Sequence, residues 1–399
     1  MQHSHSMEVR NPGPYAVSSK TRNIFVICLV LGLVALAAGF KVDAKRTWFT
    51  FLHNHFYFMS LALGGAFFTA IQFLTGAMWS APIRRIAESL TSYIPVSILT
   101  FAVVYFGIHD VYHWSHPEVV KGDVILEGKA GYLSVAFFMI RNIVVLGLLA
   151  LFTKKIVGNS LAQDESKDAS LTLKNKGLAP GFLLVFAIGF TMASFDQIMS
   201  LDPHWYSTMF GVYCFAGLFY SVLALLGILT VTFKRKGALV GIVNENHLHD
   251  LGKFMFAFTV FWAYIGFSQF MLIWYANMPE ETGYFISRLK DGWFAVSIFL
   301  VVGKFMTPFF LLLPRDAKRN ESMIFGVGIF MLVAQWIDVL WLAQPELFKT
   351  GPRVGWIELG GVLAFTGLFG LVVSRFLGRH NLVAIGDPRL SESVHHHHQ

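Results

Sequence analysis

The sequence predicts an all-α membrane protein with ten transmembrane helices, and three observations carry that prediction. Of the 399 residues, 55% are hydrophobic and only 14% are charged, too little charge to coat a soluble domain of this length. Apolar runs long enough to cross a bilayer recur along the whole chain. The alternating ten-residue pattern of a membrane barrel is missing. Backbone groups in hydrocarbon must pair within their own segment, so such runs can only be helices. The net charge of +7 then reflects the anchoring and orientation of loops. Nucleic-acid binding is a poor second reading.

The first span is read over 23–40, after a polar stretch that ends at Arg22 and has no cleavable signal peptide. The second, 51–78, carries His53 and His55 in its outer third, then the small residues Gly64, Gly65 and Ala66. The third, 92–109, ends with His109 and Asp110. The fourth, 131–153, carries Arg141 ~15 Å below its outer start at ~1.5 Å per residue. The fifth, 181–201, holds Asp196, and the sixth, 207–233, holds Cys214. The seventh, 253–277, is aromatic but includes Ser268 and Gln269. The eighth, 292–313, buries Lys304 ~18 Å deep. The ninth, 323–343, carries Gln335 and Asp338, and the tenth, 356–377, opens with Glu358 before Gly360 and Gly361.

Spans two to five and six to nine echo one another weakly, giving two four-helix bundles with spans one and ten on the flanks. The small residues allow close helix approach. Basic residues set the orientation. With the N-terminus inside, the cytoplasmic segments hold Arg10, Arg84, Arg85, Lys154, Lys155, Lys234, Arg235, Lys236, Arg315 and Arg319, among others. Both termini are therefore expected in the cytoplasm. Asp202, His204, Glu280 and Glu281 then face outward. The longest hydrophilic loop is read as Val157 to Pro180, too short and polar for an enzyme domain, and the next as His109 to Lys129. The run His395 to His398 is set aside as native or a tag remnant.

Ionisable groups inside hydrocarbon are costly, so each is a functional candidate. Asp196 and Asp338 read either as proton-accepting carboxylates or as structural ion pairs, Asp196 with Arg141 and Asp338 with Lys304. His53, His55 and His109 read as quinol-binding candidates or as haem ligands, and His53 and His55 also as interfacial anchors. Two residues apart, they point to different helix faces. Asp202 and His204 flank Pro203 and read as a proton exit, a docking point or plain turn chemistry. Ser268 and Gln269 line a water path or bond across helices. The candidate proton-path set is thus Arg141, Asp196, Asp202, His204, Ser268, Gln269, Lys304, Gln335 and Asp338. Cys28 and Cys214 make neither a metal motif nor a disulfide pattern, and the sequence has no CxxC, CxxCH, HExxH or Gly-rich phosphate loop. No redox centre or catalytic residue of the chain's own is expected.

Two stretches carry a family resemblance. SFDQIMSLDPHWYSTMFG (194–211) together with FSQFMLIWYANMPEE (267–281) resembles the membrane subunits of bacterial alternative complex III, a quinol:electron-acceptor oxidoreductase. The two large membrane subunits of that complex are similar to the NrfD/polysulfide-reductase membrane anchor, each with ten helices as two four-helix bundles plus two. In length, and in lacking extra tails, the chain is most similar to the second of them, a membrane pillar proposed to hold a proton pathway. The resemblance implies a bacterial cytoplasmic membrane, with menaquinol oxidised mainly in the first, the sister ten-helix protein. It also implies iron–sulfur clusters and c-type haems in separate partner proteins, and a cytochrome c or terminal oxidase as acceptor. Asp196, Asp202, His204, Ser268, Gln269 and Glu280 match the family pattern, and His53 matches a quinone-site histidine. Two other readings stay open: the quinol-binding anchor of a polysulfide-reductase-type molybdoenzyme, and a free-standing secondary transporter. A transporter usually breaks helices in matching halves, whereas Pro95 and Pro308 are placed near helix ends.

Overall fold

The computed structural model describes residues 11–395. Arg10 and His396 to His398 lie outside the described residues. The chain is all-α, with no β-sheet among the described residues. One isolated bridge pairs Pro14 with Asn381. Ten helices are long and apolar enough to cross a membrane. Spans one to five are Ser19–Val42, Ala44–Thr75, Ala81–Val111, Val135–Ser166 and Ser170–Leu201. Spans six to ten are Phe210–Arg235, Glu245–Ala276, Asp291–Leu312, Glu321–Glu346 and Trp356–Leu377.

Spans two and six are the most enclosed and pack on each other between the two bundles. A side chain at Gly64 would run into Val222 and Leu218 of span six, and one at Gly65 into Ala87 and Leu90 of span three. Phenylalanines fill the seam between bundles: Phe67 meets Phe215 at 5.0 Å and Phe219 at 4.9 Å between ring centroids, and Phe219 meets Phe258 at 4.5 Å. Lipid tails are as apolar as these rings, so close fit rather than escape from water holds the seam. Spans one and ten pack along their length. Both ends of the described chain lie on one face, where Tyr15 N donates to Leu377 O at 2.8 Å and Leu382 N to Gly13 O at 3.0 Å.

Helices run well past their apolar cores, and this corrects two expected loops. Val157 to Pro180 is helical apart from residues 167–169, where Lys167 turns the chain at φ 56°. Its Lys, Gln, Leu and Ala residues are good helix formers, so the helix continues beyond the hydrocarbon. The stretch before span three is also helix. Ala81–Leu90 starts with Pro82 in its first turn and is buried throughout. Arg84 and Arg85 are therefore core residues, not loop residues. Pro95 then lies inside the span, after a 3₁₀ turn at Thr91–Tyr93. Glu280 and Glu281 belong to the first turn of a short outer helix, Pro279–Arg288, where the helix dipole favours acids. The expected outer loop from His109 to Lys129 folds into short helices against the bundle. Tyr112 Oη donates to Gln197 O at 2.9 Å and Trp114 Nε1 to Ser200 Oγ at 3.3 Å.

Candidate functional site

In each bundle an ion pair joins the third helix to the fourth, and in both cases the base comes from the third and the acid from the fourth. In the first bundle Arg141 grips Asp196 with two parallel bonds, Nε to Oδ2 at 2.8 Å and Nη2 to Oδ1 at 2.7 Å. Such bidentate contacts are the strong ones. Asn142 Nδ2 adds a third bond to Asp196 Oδ2 at 2.8 Å, and Gln197 Nε2 donates to Asn142 Oδ1 at 3.0 Å. Ser200 Oγ donates to the Asp196 carbonyl. The guanidinium lies 3.7 Å from the Tyr132 ring and 4.4 Å from Phe137, so aromatic faces cover the charge from the outer side. Burial and the nearby Asp196 push the Tyr132 phenol up to about 12, so it stays a neutral hydroxyl.

In the second bundle Lys304 Nζ donates to Asp338 Oδ2 at 2.5 Å and to Gln335 Oε1 at 2.6 Å. Tyr213 Oη donates to Asp338 Oδ1 at 2.6 Å and Trp262 Nε1 to Oδ2 at 3.2 Å. The ammonium stands 4.0 Å from the Trp262 ring. Lys304 is 0% exposed and Asp338 1%. The helix around Lys304 is not regular: Leu300–Met306 is π-helical, and Thr307 N donates to Val302 O. Pro308 supplies a cause. Its nitrogen carries no hydrogen, so the Lys304 carbonyl four residues earlier loses its helical donor. Tyr220 Oη replaces it at 3.1 Å. A π segment of this kind often marks a functional position.

From Asp196 a polar trail continues into the first bundle. His55 Nδ1 meets Thr100 Oγ1 at 2.8 Å, and His55 is within electrostatic reach of Gln197. His55 Nε2 and Gln197 Oε1 both lack a hydrogen-bond partner among the described residues. His53 points the other way. Its Nε2 meets Trp336 O at 3.0 Å, and its ring lies 4.6 Å from the Trp336 ring. The opposite faces inferred from their spacing are thus observed. His109 is exposed at the outer end of span three, with Nδ1 on Ser115 Oγ at 3.0 Å. The three histidines thus have separate partners: Trp336, Thr100 and Ser115.

The remaining candidates are scattered. His204 is exposed and pairs with Asp123 at 2.6 Å. Asp202 is partly buried near Arg288 and Glu346. Burial and the Glu346 charge raise its carboxyl above the ordinary value, against the opposing pull of Arg288 and Lys349. Gln269 is buried beside Tyr213 and Trp262, whereas Ser268, one residue earlier, is half-buried and does not line that cavity. Glu358 is held by Arg46 through Nε at 2.7 Å and Nη2 at 2.6 Å and caps the Gly355 nitrogen. Cys28 and Cys214 are free thiols.

Several site residues escape a reading of the sequence. Asn142 and Gln197 are neighbours of Arg141 and Asp196, and that adjacency was a usable signal. Another is the shared spacing of Asp196 to Pro203 and Asp338 to Pro345, which places an acid seven residues before a proline in matching helices. Tyr213, Tyr220 and Trp262 look like filler until their polar tips are seen on the ion pair. Arg288 is fully buried and donates to Trp341 O, Leu342 O and Tyr284 O at 3.0–3.2 Å, capping the end of span nine. Compared with protein-family models and with curated proteins, the chain finds no match.

Proposed function

We propose that this multi-pass membrane protein belongs to a quinol-oxidising electron-transfer assembly of the alternative complex III kind, as the second of its two ten-helix membrane pillars. In this reading it stands in a bacterial cytoplasmic membrane beside the sister ten-helix protein. Iron–sulfur clusters and c-type haems belong to its partners, and a cytochrome c or terminal oxidase takes the electrons. The two ion pairs are points where protons are loaded and released during turnover. The observation that carries the reading is the acid–base pair that joins the third and fourth helices in each bundle at matching positions. Two independent structural braces need no such correspondence, whereas a device duplicated with the bundle does.

The chemistry available to these pairs follows from their surroundings. A buried pair is held by mutual attraction that offsets desolvation. In the second bundle a change of charge nearby shifts that balance and favours the neutral pair, the Lys304 proton passing to Asp338. Arg141 keeps its charge, so in the first bundle Asp196 is loaded only by a proton that arrives from a neighbouring group. In the first bundle Asn142, Gln197 and His55 offer the next stations. In the second, Tyr213 and Gln335 touch the pair directly. A transporter reading asks for broken helices in matching halves. Span eight is irregular at Leu300–Met306, but its counterpart, span four, is one continuous helix.

Native purification followed by mass spectrometry tests the assembly: haem and iron–sulfur proteins are the expected partners. A lone species or a molybdenum-bearing partner overturns it. Proton release per electron, measured for the intact assembly carrying Asp196→Asn or Asp338→Asn, tests conduction. The expected result is a lower ratio for each variant, and an unchanged ratio removes that role.

A further inference from the structure

The second bundle contains a cavity of about 390 Å³ lined almost wholly by aromatic and aliphatic side chains. It lies between span seven, span eight and the outer helix Pro279–Arg288. Phe267 and Val301 border it and are 63% and 52% exposed on the lipid-facing surface. Its walls follow span seven from Trp262 to Phe270 and span eight from Ser297 to Phe305, a slot ~12 Å long at ~1.5 Å per residue. At its inner end stand Tyr213 and Trp262, both bonded to Asp338.

Gln269 distinguishes this slot from an ordinary lipid groove. It is 6% exposed, it lines the cavity, and its carboxamide has no hydrogen-bond partner among the described residues. The amide faces the open space of the cavity and is free to bond a ligand there. Tyr284 Oη, also on the wall, is likewise without a hydrogen bond among the described residues, while the remaining polar side chains are committed. Tyr213 Oη is on Asp338, and Ser297 Oγ donates to Arg288 O and accepts from Trp341 Nε1. No lining residue is charged. Behind the wall, Arg288 spends its donors on carbonyls and Lys304 is paired, so a phosphate headgroup finds no cation. The occupant is therefore neutral, flat enough to lie between aromatic rings, lipid-soluble, and equipped with an oxygen for Gln269.

We propose that this cavity binds the ring of an isoprenoid quinone or quinol, with Gln269 hydrogen-bonded to a ring oxygen and the tail leaving between Phe267 and Val301. The quinone class rests on the function proposed above, while the cavity and its free carboxamide stand without it. None of His53, His55 and His109 lines the slot, so the site is separate from the histidines that the sequence offers for a quinone.

The test uses the purified full chain in nanodiscs and a short-chain naphthoquinone bearing an aryl azide. Photolabelling should fall on residues 262–270 or 297–305 and be displaced by excess unlabelled naphthoquinone. Gln269→Leu should lower labelling up to about tenfold, the effect of one lost hydrogen bond. Ala263→Phe, which fills the slot, should abolish it. Unchanged thermal midpoints separate these effects from misfolding, and Gln269→Leu alone decides if the larger side chain is not tolerated. Label spread over the lipid-facing helices, or displaced equally by phosphatidylethanolamine, overturns the site. Labelling of the slot without haem or iron–sulfur partners upholds the site and sinks the proposed assembly. Those partners without labelling do the reverse.

Discussion

Lys304 and Asp338 show what a charge in hydrocarbon requires. Each is almost completely enclosed, and each is surrounded by groups that answer its charge: Gln335 and the Trp262 face for the ammonium, Tyr213 and Trp262 Nε1 for the carboxylate. Removing one partner strands the other in a medium that cannot solvate it. Lys304→Met is therefore expected to destabilise the protein by ~3–5 kcal/mol, as is Asp338→Leu. The double variant should lose less than either single one, because no lone charge remains. Thermal unfolding in detergent measures all three, and a double variant that loses the sum of the singles would sink this argument. The same cost made both pairings legible in the sequence, where few buried ions have few possible partners. The ring of neutral groups was not legible. A tyrosine or tryptophan in an apolar helix looks the same whether its polar tip faces lipid or a carboxylate, and only the rotation of each helix decides.

Helices have their own logic, visible where spans one and ten meet. A side chain at Gly32 would collide with the backbone of Ala364 and Gly360, and one at Gly367 with Phe25 and Leu29. Absent Cβ atoms let the two backbones touch, so the contact is made of main chain and small residues. Gly32→Val should push the helices apart and cost about 1–3 kcal/mol, the usual penalty of overpacking. Gly147→Ala, on span four with nothing within 4 Å of the added carbon, should be neutral or stabilise by up to ~1 kcal/mol. Thermal midpoints of the two variants compare them directly, and equal effects would mean the seam is not close-packed. Hydropathy located all ten helices but missed their ends, because it registers the hydrocarbon layer and not the hydrogen-bonded helix. Ile156 to Ser166 and Ala81 to Leu90 are helix for reasons of propensity and tertiary cover. The π segment of span eight had a cue in Pro308, four residues after Lys304. What it does to the helix depends on Tyr220 arriving from span six to take the freed carbonyl.

At the scale of the whole molecule, the end bearing both termini is closed by a charged clasp that no single segment announces. Arg84 meets Glu88 and Asp387, and Arg85 meets Glu88 and Asp164 at 3.0 and 2.7 Å. These groups come from span three, span four and the tail after span ten. Leu382, Val383 and Ala384 of that tail are buried, and Gly386 N donates to Asp164 Oδ1 at 3.2 Å. Burial alone would raise the Asp387 carboxyl, but the Arg84 and Arg389 guanidiniums and the Arg389 backbone outweigh it, and the net shift is downward from 3.8. A lowered carboxyl binds fewer protons folded than unfolded. Its contribution is thus complete above its ordinary value and is lost as pH falls through the folded one. The tail should stay protected from proteolysis and amide exchange from pH 5 to 8 and loosen only below 3.8. Asp387→Asn should loosen it at neutral pH, because Arg84 then keeps only the longer 3.3 Å contact to Glu88. The expected loss is ~3 kcal/mol of local stability, the lower end for a broken buried pair. Amide exchange of residues 382–390 is the measurement. If the variant exchanges like the parent at pH 7, the tail is held by its apolar side chains and the clasp is incidental. If it exchanges faster while spans two and six keep their protection, the tail is a separately opening lock on the bundle.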